Sequence, residues 1–224
     1  MSREKTLPIR RSIEEAIKNE SETHSLKHYL NDKLPELHHA IKLPKANQTE
    51  TMLRFLTSYI EHVPDFVEAL TELMQRAGIY EQAQVFIEIA EDYFLKPPDI
   101  VREHAGLQAL IDEAYLAHRL IEEINDQIMV DCGLPLAPID MTVSNIVVHD
   151  LLGETFANEL DLAVHYSVEA LFQHLKLSDN PKFQAYVDQH KTNGWEDVLE
   201  RWPCLIKDAS IELSLENNSS DALH

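Results

Sequence analysis

Two long segments of this sequence each place a histidine and a carboxylate one helical turn apart. His118 precedes Glu122 by four residues, and Asp161 precedes His165 by four residues. Residues at this spacing lie on the same face of an α-helix. Neutral imidazole and ionised carboxylate groups bind iron, manganese and zinc, and such ions are commonly held between facing helices. The two pairs are therefore the first candidates for a metal centre.

Four further histidine and acidic residues fall on or beside neighbouring helix faces and form a second rank of candidate ligands. They are His62, Glu91, Glu113 and Glu169. A centre of two metal ions bridged by carboxylates would keep an open position for oxygen or water. The hypothesis is a di-iron or di-manganese oxidoreductase acting on a small organic substrate, with zinc less favoured than iron or manganese.

The distribution of charge is the main reason to consider such a centre. The chain has 39 Asp and Glu residues against 19 Lys and Arg residues, which gives a formal net charge of −20. The span from Leu120 to Leu175 contains ten carboxylates and neither Lys nor Arg. Burying a carboxylate is costly unless a cation or hydrogen-bond donors compensate its charge. Metal ions would supply the positive charge that this span lacks.

The same residues also fit a structural role without a metal. His118 can be a buried histidine that is hydrogen-bonded to a neighbouring carboxylate. Five residues of one predicted helix can form its solvated face: Glu154, Asn158, Asp161, His165 and Glu169. The alternative function is therefore a non-catalytic acidic helical protein that binds a partner or an apolar ligand.

The charge and hydropathy of the chain also limit its partners. Nucleic acids and anionic membrane surfaces require cationic patches, so this acidic chain is expected to bind neither. The sequence contains no apolar stretch long enough to span a bilayer, and its first residues lack the apolar core of a secretory signal. We expect a cytoplasmic protein that takes a small-molecule substrate or ligand, with formation of a homodimer left open.

Helical periodicity dominates the chain, so the candidate ligands are predicted to lie on the helices of an all-α protein. Proline, glycine and capping residues indicate where these helices begin and end. The predicted helices span about residues 12–30, 48–77, 80–95, 100–131, 141–176 and 181–193, with a last helix from Trp195 that bends at Pro203.

The predicted architecture is one bundle of six or seven helices over residues 1–214, followed by a frayed tail over residues 215–224. Pro64 is expected to kink the second helix, because proline removes a main-chain hydrogen-bond donor. Asn47 and Glu50 have the spacing of a capping box at the start of that helix.

The order of the helices and three segments resemble the heme-oxygenase-like helical enzymes, including their di-metal oxidase branch. The segments are Glu22–Leu30, Tyr59–Phe66 and Asn180–His190. Histidines and acidic residues on facing helices are also similar to the ferritin-like di-metal carboxylate proteins. The chain departs from both families, because its long helices carry neither a Glu-x-x-His pattern nor a His-x-x-x-Asp-x-x-His run. The resemblance implies a bundle of one of these types and oxygen-dependent oxidation of a small organic substrate, and it assigns no residue.

Overall fold

The computed structural model describes residues 2–101, 106–194 and 205–214, and most of these residues are helical. This confirms the all-α class. The helices are α1 (Ser2–Thr23), α2 (Ser25–Lys33), α3 (Gln48–Ala77), α4 (Tyr80–Leu95), α5 (Leu107–Cys132), α6 (Thr142–Leu152), α7 (Glu154–His174), α8 (Pro181–Asn193) and α9 (Leu205–Ala209). Two short strands, β1 (Ile41–Lys42) and β2 (Glu212–Leu213), pair in antiparallel orientation and form a ribbon that was not predicted.

The core lies around α3 and α5, the two longest of the described helices. Both helices have a wide apolar stripe, and most side chains along these stripes are buried. Helices α1 and α4 pack against both of them, and α3 also packs against α5. Helix α5 also packs against α6 and α7. Helix α5 therefore has one face in the core and another face that meets a separate pair of helices.

Helices α3, α4 and α8 have the predicted boundaries. Gly78 ends α3 in the left-handed conformation, with φ of 68°, which glycine adopts without steric cost. Asn180 caps α8, since its side-chain oxygen accepts hydrogen bonds from the main-chain N–H groups of Lys182 at 2.9 Å and Phe183 at 3.2 Å. In these places the breaking and capping residues of the sequence decided the boundary.

The first predicted helix, over residues 12–30, is wrong, because the structure has two helices there. Helix α1 begins earlier, and His24 separates it from α2 with a left-handed φ of 54°. The buried carboxylate of Glu20 accepts hydrogen bonds from the main-chain N–H groups of Leu26 at 2.8 Å and Lys27 at 3.0 Å. These bonds satisfy the first donors of α2 and stabilise the break.

The helix predicted over residues 141–176 is also wrong, because Gly153 divides it into α6 and α7. Gly153 has φ of 89° and ψ of 137°, a conformation that a residue with a Cβ atom rarely adopts. A single glycine within an apolar helical pattern is often tolerated, so the pattern alone did not indicate a break. The division lets α6 and α7 pack against α5 and against each other as separate elements.

The start of α3 differs from the predicted capping box. Asn47 adopts a left-handed φ of 58°, and Glu50 forms a salt bridge with Lys27 of α2 at 2.8 Å. Lys27 lowers the pKa of Glu50 through this contact. The helix continues through Pro64 to its predicted end.

Some predicted boundaries fall on residues outside the described ranges. The start of the helix predicted over residues 100–131 is wrong, because Ile100, Val101 and Gly106 are not helical and the helix begins at Leu107. Residues 102–105 lie outside the described ranges. The predicted bend at Pro203 lies within residues 195–204, and the predicted tail is residues 215–224; both ranges are outside the described residues. Across the three described ranges, no helix is both long enough and apolar enough to cross a membrane.

Candidate functional site

The two faces of α5 hold different kinds of polar groups. Positions 114, 118, 121 and 125 share one face of α5 by their helical spacing, and His118 on this face contacts α3. Positions 115, 119 and 122 lie about a quarter turn away. Side chains of the two sets contact different helices: His118 contacts α3, and Arg119 contacts α7. We call these the core face and the pocket face of α5.

His118 lies on the core face, where it is 1% exposed. Its Nε2 atom is 3.0 Å from the main-chain oxygen of Tyr59 on α3, and because a carbonyl only accepts, this nitrogen donates its hydrogen. The ring centroid lies 4.3 Å from that of Tyr59 and 5.1 Å from that of Phe66. His118 therefore follows the structural alternative, with a main-chain carbonyl as its partner instead of a carboxylate.

His62 of α3 is the neighbour that the structure brings to His118, with the two rings stacked at 5.4 Å. Burial lowers the pKa of His62 to about 4. Burial, and then the charge of His62, lower the pKa of His118 well below its ordinary value. Both imidazoles are consequently neutral near pH 7, inside an aromatic part of the core.

Arg119 is the central residue of the pocket face. Its Nε donates to Oδ1 of Asp161 on α7 at 2.8 Å, and its Nη1 donates to Oε2 of Glu122 one turn along α5. The structure thus brings two of the predicted ligands together, through a guanidinium that was not predicted. Burial alone would lower the pKa of Arg119, but its hydrogen bonds with Asp161 and Glu122 outweigh this effect and raise the pKa.

A chain of hydrogen bonds continues from Glu122 into the core. Asn145 of α6 donates from Nδ2 to Oε2 of Glu122 at 2.7 Å, and its Oδ1 accepts from the Tyr59 hydroxyl at 2.5 Å. The other carboxylate oxygen of Glu122, Oε1, is buried and has no hydrogen-bond partner among the described residues. Buried polar atoms usually have a partner. This oxygen is therefore an acceptor that a bound molecule or water can satisfy.

Tyr115 fixes Asp161 from the other side. Its hydroxyl donates to Oδ1 of Asp161 at 3.0 Å. Burial, followed by the charge of Asp161, raises the pKa of Tyr115, so the phenol keeps its proton at neutral pH. His149 of α6 places Nε2 3.8 Å from Oδ2 of Asp161 and 3.2 Å from Oδ1 of Asn158.

The connection between α2 and β1 forms the outer edge of the site. The main-chain N–H of His38 donates to Oδ2 of Asp150 at 2.8 Å. The N–H of Ser214, just after β2, donates to the carbonyl of Ala40 at 2.8 Å. The first bond ties this connection to α6, and the second continues the pairing of the two strands of the ribbon.

A pocket of about 510 Å³ opens between the pocket face of α5, helices α6 and α7, and the ribbon. Its polar wall contains Arg119 with its hydrogen-bonded carboxylates. Its remaining wall is largely apolar and includes Ile41, Ile146 and Leu213. Pockets that bind small organic molecules usually have about 300–1,000 Å³ and this mixture of apolar surface and a few fixed polar groups.

The predicted ligands on the outer side of α7 lie at the surface. His165 has a side chain that is 54% exposed, and its Nδ1 is 2.8 Å from Oε1 of Glu123 on α5. This hydrogen bond and the charge of Glu123 raise the pKa of His165. Glu169 is exposed one turn further along α7. His165 and His118 thus lie on different sides of α5.

The last two predicted ligands are partly buried acids in separate places. Burial, and then the charge of Asp112, raise the pKa of Glu113 to about 8. Burial also raises the pKa of Glu91 on α4, against the opposing charge of Lys5. One oxygen of each carboxylate is buried without a partner among the described residues.

The eight predicted ligands therefore occur as one histidine pair, one pair of carboxylates bound to Arg119, and four residues elsewhere. The described ranges hold no group of three or more His, Cys, Asp or Glu side chains placed around one metal position. The metal centre stays a prediction.

Arg119 was not among the predicted site residues, because it stands one position before the span that lacks Lys and Arg. The spacing of Tyr115, Arg119 and Glu122 places all three on one helical face, so this signal was available. The contributions of Asn145, Asp150 and the ribbon depend on how separate helices pack, and no local pattern shows that.

Comparisons of the chain with protein-family models, with curated proteins and with solved structures found no match. The geometry of the site is therefore the basis for inferring a function.

Proposed function

We propose that this protein binds a small organic molecule in the pocket between α5, α6, α7 and the ribbon. The observation that carries the proposal is the pocket itself, because it combines a volume of about 510 Å³ with apolar side chains and hydrogen-bonded polar groups. The apolar side chains favour the hydrophobic part of a ligand. The polar groups would orient it.

The polar wall is preorganised, which supports a binding role. Arg119 contacts carboxylates from two helices, while Asn145 and Tyr115 hold these carboxylates from further directions. Groups that are fixed before binding lose little conformational freedom when a ligand arrives. The unpartnered Oε1 of Glu122 adds an acceptor at this wall.

The metal-dependent oxidoreductase stays a prediction, as does a heme-oxygenase-like or ferritin-like arrangement of the bundle. Arg119 favours the binding proposal, since its guanidinium already compensates the charges of Glu122 and Asp161. A metal ion between these two carboxylates would have to displace a cation that makes hydrogen bonds to both.

Protein-detected NMR with a library of organic fragments tests the proposal on the full chain. We expect fragments to shift the amide signals of Arg119, Ile146 and Leu213 in a saturable manner. Ile146→Trp places a larger side chain at the pocket and should weaken binding about tenfold or more, since the indole would occupy volume that the ligand needs. Leu162→Trp is the matched control, because Leu162 is similarly exposed on α7 and does not line the pocket. Absence of saturable shifts, or equal weakening by both variants, would contradict the proposal.

A further inference from the structure

We infer that the ligand of this pocket is an organic cation, namely an alkyl- or arylammonium ion with an apolar body. This inference rests on the proposed function and names the chemical class of the ligand. Two observations support it: the net negative charge of the pocket wall, and the carboxylate oxygens at this wall that accept no hydrogen bond from the protein.

The pocket carries a negative formal charge. Arg119 supplies one positive charge to the lining and three carboxylates supply three negative charges, so the formal charge is −2 when histidine is counted as neutral, as in the charge of the whole chain. The carboxylates belong to Glu122, Asp150 and Asp161. A net negative wall attracts cations and repels anions, and the formal charge of −20 on the whole chain acts in the same direction.

The cation already present is committed to the protein. Arg119 directs Nε to Asp161 and Nη1 to Glu122, so its charge compensates these two groups first. Both hydrogen bonds that reach Asp161 end on Oδ1, and the one that reaches Asp150 ends on Oδ2. Within the described residues, Oδ2 of Asp161 and Oδ1 of Asp150 accept no hydrogen bond and remain available to a ligand, in addition to the buried Oε1 of Glu122. Nε2 of His149 lies 3.8 Å from Oδ2 of Asp161.

The surroundings of these acceptors fit an ammonium group with an organic body. The rings of Tyr115 and His149 lie 6.3 Å apart at the pocket wall, and an aromatic face attracts a cation. Ile41, Ile146 and Leu213 provide the apolar contacts for the rest of the molecule. A bare metal ion would make no use of this apolar wall, whereas an amine with a hydrocarbon body uses both parts.

Isothermal titration calorimetry with three probes of similar shape tests the inference. The probes are benzylamine as the cation, benzyl alcohol as the neutral molecule and benzoate as the anion. We expect benzylamine to bind the full chain about tenfold tighter than benzyl alcohol, because a charge-assisted hydrogen bond exceeds a neutral one. Benzoate should bind more weakly than both.

Two variants separate a local effect from the overall charge of the chain. Asp150→Asn removes one charge at the pocket, and its amide oxygen can still accept the His38 N–H, so the preference for benzylamine should fall about threefold or more. Glu159→Gln removes one charge at an exposed position of α7 that does not line the pocket. In this variant the preference for benzylamine over benzyl alcohol should change less than about twofold, since exposed charges are screened by salt.

Equal or weaker binding of benzylamine than of benzyl alcohol overturns the inference, and so does an equal effect of the two variants. If benzyl alcohol or benzoate binds at the pocket in that case, the proposed function still holds. If the fragment screen shows no saturable binding at the pocket, the proposed function itself fails. The two measurements therefore distinguish an incorrect ligand class from an incorrect site.

Discussion

The two faces of α5 bury polar side chains in opposite ways. On the core face, His118 is almost fully enclosed, uncharged, and hydrogen-bonded to a main-chain carbonyl. On the pocket face, Arg119 and its two carboxylates are charged, and their side chains are between 13% and 27% exposed. Burial of a charge is costly, so a charged group persists where a counter-ion and some solvent compensate it.

This difference indicates where chemistry with a ligand can take place. The imidazole pair of the core face is enclosed by aromatic side chains, and its contacts belong to the packing of α3 against α5. The pocket face carries oriented charges beside an open volume. The two environments lie on neighbouring faces of one helix. The spacing of histidines and carboxylates in the sequence therefore does not show which residue belongs to which face.

The largest effect is expected from removing the cation of the pocket face. Arg119→Met leaves Glu122 and Asp161 without their shared partner, and it should lower the free energy of unfolding by about 3 kcal/mol. Urea denaturation measures this change.

Arg10→Met is the matched control for that variant. Arg10 also contacts two carboxylates, Asp65 at 2.8 Å and Glu68 at 3.0 Å, but its side chain is 36% exposed. Exposed ion pairs contribute little, so we expect a loss of about 1 kcal/mol or less. Equal losses in the two variants would show that the pocket face has no special dependence on its guanidinium.

Glu113 sharpens the comparison, because burial and then the charge of Asp112 raise the pKa of this partly buried acid of α5. Its pKa is about 8 in the folded protein and near 4.5 when unfolded, so the folded state holds an extra proton between these values. The contribution of this proton to the free energy of unfolding is fully present below pH 4.5 and is lost as the pH rises through 8. Glu113→Gln should therefore stabilise the protein by about 2 kcal/mol above pH 8 and change little near pH 4.5.

Denaturation curves of the wild type and of Glu113→Gln across this pH range measure the effect. Glu159→Gln is the control, since Glu159 is exposed on α7. A difference between Glu113→Gln and the wild type that does not vary with pH would contradict the raised pKa.

The core face is tested by its behaviour in acid. The pKa of His118 is lowered in the folded protein, so its contribution to stability is present above pH 6.5 and is lost as the pH falls below that value. His118→Gln removes this titration, and the Gln amide can still donate to the Tyr59 carbonyl. Below pH 6.5, the free energy of unfolding should therefore fall less steeply with decreasing pH in this variant than in the wild type. We expect the slopes to differ by up to about 1.4 kcal/mol per pH unit.

His165 provides a control of opposite sign. Its raised pKa means that its pair with Glu123 stabilises the protein below pH 6.5 and loses this effect as the pH rises through the folded pKa. His165→Gln should therefore make the protein slightly less stable in acid. An identical pH response of both glutamine variants would mean that the two histidines do not differ in environment.

The smallest effect is expected where the two faces connect. Tyr59 contacts His118 through its ring and Asn145 through its hydroxyl. Tyr59→Phe removes one buried hydrogen bond, which should cost about 1 kcal/mol, measured by thermal or urea denaturation. A loss as large as that of Arg119→Met would mean that the two faces depend on this link, and the comparison between them would fail.

Much of the fold could be predicted from the sequence, because apolar periodicity and strong breaking residues act locally. The boundaries at Gly78 and Asn180 are of this kind. The breaks at His24 and Gly153 were not predicted, since each interrupts a helical pattern at a single residue. The break at Gly153 depends on a conformation that favours glycine, and the break at His24 is stabilised by the contact of Glu20 with the start of α2.

The site was less predictable than the fold. The spacing of Glu122 from His118, and of Asp161 from His165, predicted two acids on helix faces that need a positive partner when buried. The structure does place these two acids beside one cation, Arg119. The partner came from a neighbouring turn of α5, while the pocket required the packing of α6, α7 and a ribbon of two-residue strands. Contacts between elements that are distant in sequence leave little local signal.

A crystal structure from crystals soaked with Mn(II), with anomalous diffraction data, tests the central claim most directly. The claim is that Arg119 holds Glu122 and Asp161 together at the wall of a pocket for an organic ligand. We expect the guanidinium within hydrogen-bond distance of both carboxylates and no anomalous peak between them. A manganese ion bound by both carboxylates, with Arg119 turned away, would contradict the claim and favour the metal centre.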